Sequence, residues 1–117
     1  MGDIKKLAVL VSGNGSNLQS IIDSINIGEI NASISLVISN IETAYALTRA
    51  KKENLNSAFL NHKNFSSRES FDQALSELLT KHEVDLIVLA GFMRILSNSF
   101  IEKFNRKIIN VRPIIFV

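Results

Sequence analysis

Apolar runs of strand length alternate along the chain with stretches whose apolar residues recur at helical spacing. Ala8–Val11 is continuously apolar, as expected of a strand buried on both faces. From Asn17 to Ile27, Leu18, Ile21, Ile22 and Ile25 fall at i, i+3, i+4 and i+7, one face of a helix. Ser33–Ser39 reads as a second strand, Ala44–Glu53 as a short helix and Ser57–Leu60 as a brief third strand. Ser66 or Ser67 then caps a helix running to about His82, with Phe71, Leu75, Leu78 and Leu79 on its apolar face and Glu69 placed for a capping box. Asp85–Ala90 is a fourth strand closed by Gly91; Ser97 caps a short helix to about Phe104, and Lys107–Val111 makes a fifth strand. This alternation predicts an α/β fold: an open, mostly parallel sheet with right-handed crossovers and helices on both faces. Ligands bind such sheets at the carboxyl ends of the strands. Three segments are therefore expected on one edge: the turn 13–17 after the first strand, Gly91–Arg94 after the fourth and Asn110 after the fifth.

Composition narrows the class. A chain of 117 residues without repeats, low-complexity stretches or linkers is expected to form one domain, 1–117. With 46% hydrophobic and 21% charged residues it is globular rather than disordered. A net charge of +2, with scattered Lys and Arg, argues against a nucleic-acid partner. There is no cysteine, hence no thiolate nucleophile or Cys-based metal site. The apolar run Leu7–Val11 is too short for a signal peptide or membrane span, so a soluble, cytoplasmic protein without a membrane partner is expected.

Chemistry concentrates in the first turn. Gly13 and Gly15 allow a tight turn and close approach of a ligand, and the N–H groups of Gly15, Ser16 and Asn17 are expected to lie unpaired at a helix start. Those donors and the positive helix end favour a phosphate. A dinucleotide is disfavoured, because Leu18 takes the third glycine position of G-x-G-x-x-G and the second strand ends in Ser39-Asn40 rather than an acidic residue. No Gly-Lys-Ser/Thr follows, so the Walker pattern also fails. What remains is a terminal phosphate on a smaller ligand, set against a merely structural tight turn. Elsewhere, Arg94 reads equally as the partner of a surface carboxylate, Phe92 and Met93 as core or cleft lining, and Asp85 as the end of a turn. His62 and His82 lack metal-ligand spacing and read as surface histidines, and no metal site is expected. Lys51-Lys52-Glu53 and the basic stretch 103–107 read as solvated surface.

Ser12-Gly-Asn-Gly-Ser-Asn-Leu18, followed by Leu89-Ala-Gly-Phe-Met-Arg-Ile-Leu96, resembles the phosphoribosylglycinamide formyltransferase family. Ser67-Arg68-Glu69 and Ile109-Asn110 fall in the expected places between and after these motifs. The resemblance covers nearly all of this chain but only about the N-terminal half of a family member. Related folate enzymes, formyltetrahydrofolate deformylase and methionyl-tRNA formyltransferase, share the core fold with different first turns. The resemblance implies that Gly15, Ser16 and Asn17 hold the phosphate of glycinamide ribonucleotide. It implies that Arg68, Met93, Arg94 and Leu96 lie along the ribonucleotide and folate cleft, with 10-formyltetrahydrofolate as co-substrate and no metal. It also makes Asn110 the first of a catalytic Asn, His, Asp trio, donating to the formyl oxygen as charge develops there.

The chain departs from the family at its end. The family pattern after the fifth strand is Asn-x-His-Pro-Ser, whereas here it reads Asn110-Val-Arg-Pro-Ile-Ile-Phe-Val117. Arg112 stands at the histidine position, and the aspartate has no counterpart. Arginine can stabilise an oxyanion but cannot shuttle protons near neutrality. Codons for His-Pro-Ser-Phe-Leu, regrouped in a shifted frame, give Pro-Ile-Ile-Phe, the residues at 113–116; a frameshift at about Arg112 is therefore expected, with a truncation as the alternative. Two classes follow: a formyltransferase by descent whose own turnover is severely impaired, or a catalytically dead remnant that binds a phosphate ligand or a partner. The apolar tail and the edge of the fifth strand predict a homodimer through that region, or poor solubility.

Overall fold

The computed structural model describes residues 4–111. Five strands, β1 (Lys5–Val11), β2 (Ala32–Ser39), β3 (Ser57–Phe59), β4 (Leu86–Ala90) and β5 (Ile108–Val111), alternate with four helices. The helices are α1 (Ser16–Asn26), α2 (Tyr45–Lys52), α3 (Arg68–Lys81) and α4 (Asn98–Lys103). The sheet has the order β3-β2-β1-β4-β5 and every pairing is parallel. The expected α/β architecture is the observed one.

Two apolar layers follow from the strand alternation. Leu7, Val9, Val11, Val37 and Val88 face Leu18 and Ile22 of α1 and Ala46 and Ala50 of α2. Ala8, Leu10, Leu36, Ile38 and Ile87 face Phe71, Leu75 and Leu79 of α3 and Phe100 of α4. The continuous apolarity of β1 and β4 is thus the consequence of helices on both sides. Because β1→β2→β3 runs outward in one direction and β4→β5 in the other, the strand order reverses between β1 and β4. A crevice opens at such a reversal, beyond the carboxyl ends of the two strands.

Several element limits differ from those expected. β1 begins at Lys5 rather than Ala8, because Lys5 and Lys6 pair with Ala32 and Ser33 although their side chains are exposed. The cap of α3 is Ser67, and the capping box closes with Ser70: Ser67 Oγ accepts the Ser70 N–H at 3.1 Å, and Ser70 Oγ accepts the Ser67 N–H at 3.2 Å. Glu69 does not complete the box, since with Ser67 as the cap it is one position short; it sits in the first turn, where a negative charge meets the positive helix end. Asn110 lies within β5, opposite Leu89, rather than after the strand.

Candidate functional site

Strand β1 delivers the chain into its turn at full burial, and the turn is shaped by one residue. Gly15 has φ 81° and ψ 27°, the left-handed region, and starts α1 by accepting the Gln19 N–H at 2.8 Å. A Cβ there would stand 2.7 Å from the Cβ of Ala46, so both the backbone angle and the space require glycine. No acidic residue occupies the first turn of α1, which leaves its positive end uncompensated. The Ser16 N–H is not free as expected: the Asn14 side chain accepts it at 2.9 Å. Asn14 Oδ1 thus occupies a position that an anionic oxygen could take. The N–H groups of Gly15 and Asn17 have no acceptor among the described residues.

The turn forms one wall of a pocket of about 200 Å³ lined by Gly13, Asn14, Gly15, Ser16, Asn17, Ala90 and Gly91. It lies at the crevice between β1 and β4. The two walls are joined beneath by Ser12, which is buried: its hydroxyl donates to Asn40 Oδ1 at 2.6 Å and accepts the Met93 N–H at 2.8 Å. The carboxyl ends of β1 and β2 and the loop after β4 are therefore held in one hydrogen-bonded unit. Neither Ser12 nor Asn40 was legible as a site residue, because which strand ends meet is decided by the sheet order. Arg49, whose Nε donates to the Asn14 carbonyl at 2.7 Å, was likewise hidden.

The other candidate residues are placed differently. Met93 anchors the loop through its N–H while its side chain is 82% exposed. Arg94 lays its guanidinium over the Phe71 ring, 4.4 Å from the centroid, and its Nε is buried with no partner among the described residues. Among the described residues it pairs with no surface carboxylate, and its guanidinium lies on an aromatic face instead. Leu96 is in the core, packed in the layer of Phe71 and Phe100, so only its main chain could meet a ligand. Arg68 is exposed at the start of α3 with no hydrogen bond or ion pair to the turn among the described residues. Asn110 is exposed on β5, one residue short of the strand end, and is not part of the pocket wall. Arg112 and the apolar tail lie outside the described residues.

Two further expectations are adjusted. His62 and His82 are half-buried rather than on the surface, and His62 Nδ1 has no partner among the described residues. Asp85 turns its carboxylate back onto β1, accepting the Lys6 N–H at 2.8 Å. Among the described residues, no three His, Cys, Asp or Glu side chains are grouped to hold a metal ion, and no helix is long and apolar enough to cross a membrane.

A turn of this kind at a strand-order reversal is shared by many α/β folds; likeness to known proteins decides between them. The model of the formyl transferase family matches residues 5–116. The chain belongs to the formyl transferase family. It is 48% identical over 110 residues to the phosphoribosylglycinamide formyltransferase of Haemophilus influenzae, covering 94% of this chain and 52% of the relative. It is 42% identical over 108 residues to the human trifunctional purine biosynthetic protein adenosine-3, covering 92% of this chain and 11% of that one. The solved structure of the phosphoribosylglycinamide formyltransferase of Coxiella burnetii, in complex with CHES, superposes with a TM-score of 0.89 at 39% identity, over 92% of this chain and 51% of that one. This member of the formyl transferase family spans about half the length of the Haemophilus influenzae relative.

Proposed function

We propose that this chain carries the ribonucleotide-binding half of a phosphoribosylglycinamide formyltransferase site, with the phosphate of glycinamide ribonucleotide seated on Gly15, Ser16 and Asn17. The observation that carries this reading is the pocket in which the turn 13–17 meets Ala90 and Gly91 at the strand-order reversal. Its open main-chain donors and uncompensated helix end suit a dianionic phosphate and no neutral group as well. 10-Formyltetrahydrofolate is the formyl donor, lying along the loop of Met93, Arg94 and Leu96, with Arg68 at the margin of the cleft.

The reaction is attack of the ribonucleotide amine on the formyl carbon. A C–N bond forms, the formyl oxygen takes the electron pair, and collapse of the tetrahedral adduct breaks the bond to the folate nitrogen. The proton lost by the amine must reach that leaving nitrogen. Asn110 donates a hydrogen bond to the oxyanion, and holding both substrates in one crevice supplies much of the rate. Arg112, at the family's histidine position, adds positive charge but does not relay a proton at neutral pH. Turnover by these 117 residues is accordingly severely impaired, while ribonucleotide binding is kept.

Calorimetric titration with glycinamide ribonucleotide, together with an assay of formyl transfer, tests the reading. Binding with little turnover is expected. Turnover at the rate of an intact relative would remove the impairment, and absence of ribonucleotide binding would remove the reading itself. We assign the protein to the cytoplasm, supported by a cysteine-free sequence. We also propose that two copies pair along β5: it is an outer strand of the sheet, and its Ile109 is 47% exposed. Sedimentation as a monomer at high concentration would overturn that pairing.

A further inference from the structure

An anion site built from main chain has an intrinsic difficulty: each N–H that attracts a phosphate is followed by a carbonyl that repels it. The two peptides leading into α1 carry carbonyls at Gly13 and Asn14. Both are taken up by the neighbouring helix. Gly13 O accepts the Ala46 N–H at 3.3 Å, and Asn14 O accepts Arg49 Nε at 2.7 Å. Neither Ala46 nor Arg49 lines the pocket formed by the turn, so the carbonyls are engaged outside it.

We propose that Arg49 is a positioning residue for the phosphate turn: by holding the Asn14 carbonyl on the α2 side, it leaves N–H donors as the groups the turn presents to a ligand. The proposal rests on the reading of that turn as a phosphate site. Arg49 is itself held by two further contacts and lies close against Gly15. Nη1 donates to Gln19 Oε1 on α1 at 3.3 Å, the guanidinium lies 4.9 Å from the Tyr45 ring centroid, and its Cδ would stand 3.2 Å from a Cβ at Gly15. The planar fork serves the Asn14 carbonyl and the Gln19 amide at once, which a single ammonium cannot do in the same geometry. A charged donor also strengthens the bond to the carbonyl and draws off its negative end.

Arg49→Met and Arg49→Lys in the 117-residue chain test this. Glycinamide ribonucleotide and inorganic phosphate are titrated calorimetrically, with a non-reactive folate analogue as the control ligand. Loss of one charge-assisted bond should weaken the phosphate-bearing ligand about tenfold in Arg49→Met. The folate analogue should bind as before, and Arg49→Lys should fall between. A merely structural role would weaken both ligands together. Wild-type phosphate affinity in Arg49→Met overturns the proposal; if that variant does not fold, wild-type affinity in Arg49→Lys does so. The amide resonances of Gly15, Ser16 and Asn17 in the ligand-free chain keep the two ideas apart. Should the unsubstituted chain fail to bind phosphate, the phosphate reading is lost. Amide resonances unmoved by either substitution would then overturn the positioning role as well.

Discussion

The hydroxyl of Ser12 accepts the main-chain N–H of Met93 at 2.8 Å, joining residues 81 apart in the sequence. The same oxygen donates to Asn40. Replacing Ser12 by Ala leaves the part-buried Met93 amide and the buried Asn40 carboxamide without their partner. We expect a stability loss of about 1–3 kcal/mol in urea denaturation, the usual cost of an orphaned buried polar group. Hydrogen exchange at Met93 should quicken with it. An unaltered midpoint would mean that the loop after β4 is held by something other than this hydroxyl.

Gly15→Ala should be the more damaging change. It forces a Cβ into the left-handed region and to within 2.7 Å of Ala46 Cβ. Backbone strain and overpacking together should cost on the order of 3 kcal/mol. Thermal unfolding of Gly15→Ala and of the doubly changed Gly15→Ala, Ala46→Gly chain separates the two contributions. Only partial restoration is expected, because Ala46 Cα would still stand 2.9 Å from the new Cβ; a Gly15→Ala chain as stable as the parent would break the assignment.

Asp72 is buried beneath the loop that carries Arg94. One carboxylate oxygen accepts the Ser97 N–H at 2.6 Å, and the other has no partner among the described residues. Asp72→Asn retains the acceptor and should remain within about 1 kcal/mol of the parent, whereas Asp72→Ala should lose about 1–3 kcal/mol by stranding the Ser97 N–H. Equal losses in the two variants would make the charge, not the acceptor, the stabilising element.

Tyr45 supplies a pH signature. The hydrogen bond from Lys52 to its hydroxyl, then the charge of Lys52 and that of Arg49, lower its pKa below the ordinary value of 10.0. At neutral pH the phenol is protonated whether the chain is folded or not, so the shift adds no stability there. Its contribution appears as pH rises through the lowered folded pKa, is complete above the unfolded one, and is lost again as pH falls. Ultraviolet titration should show tyrosine ionising early, and Lys52→Met should move it back up. A titration identical in both chains would break the assignment.

The alternation of apolar runs was enough to read the layered α/β fold, because strands buried on both faces leave a continuous apolar signature at β1 and β4. Glycine in the turn was readable for a similar reason: few other residues suit a tight strand-to-helix junction. Pairings across the sheet were not. Nothing local in Ser12, Asn40 or Arg49 shows that the strand order brings them around one turn. Leu96 illustrates the opposite case: its motif marked its segment for the cleft, and its side chain packs into the layer of Phe71 and Phe100, since an apolar group there gains more from burial than from exposure. Glu69 was misplaced by a single step, since two adjacent serines offered two caps and only geometry chooses between them.

The reversal of strand order also sets a timetable for assembly. β1, β2 and β3 are joined by short crossovers and can zip together as they leave the ribosome, but β4 must return past two strands to lie against β1. Closing so long a loop comes late because its entropic cost precedes any contact. The crevice is therefore expected to be completed last in folding, when Met93 reaches Ser12.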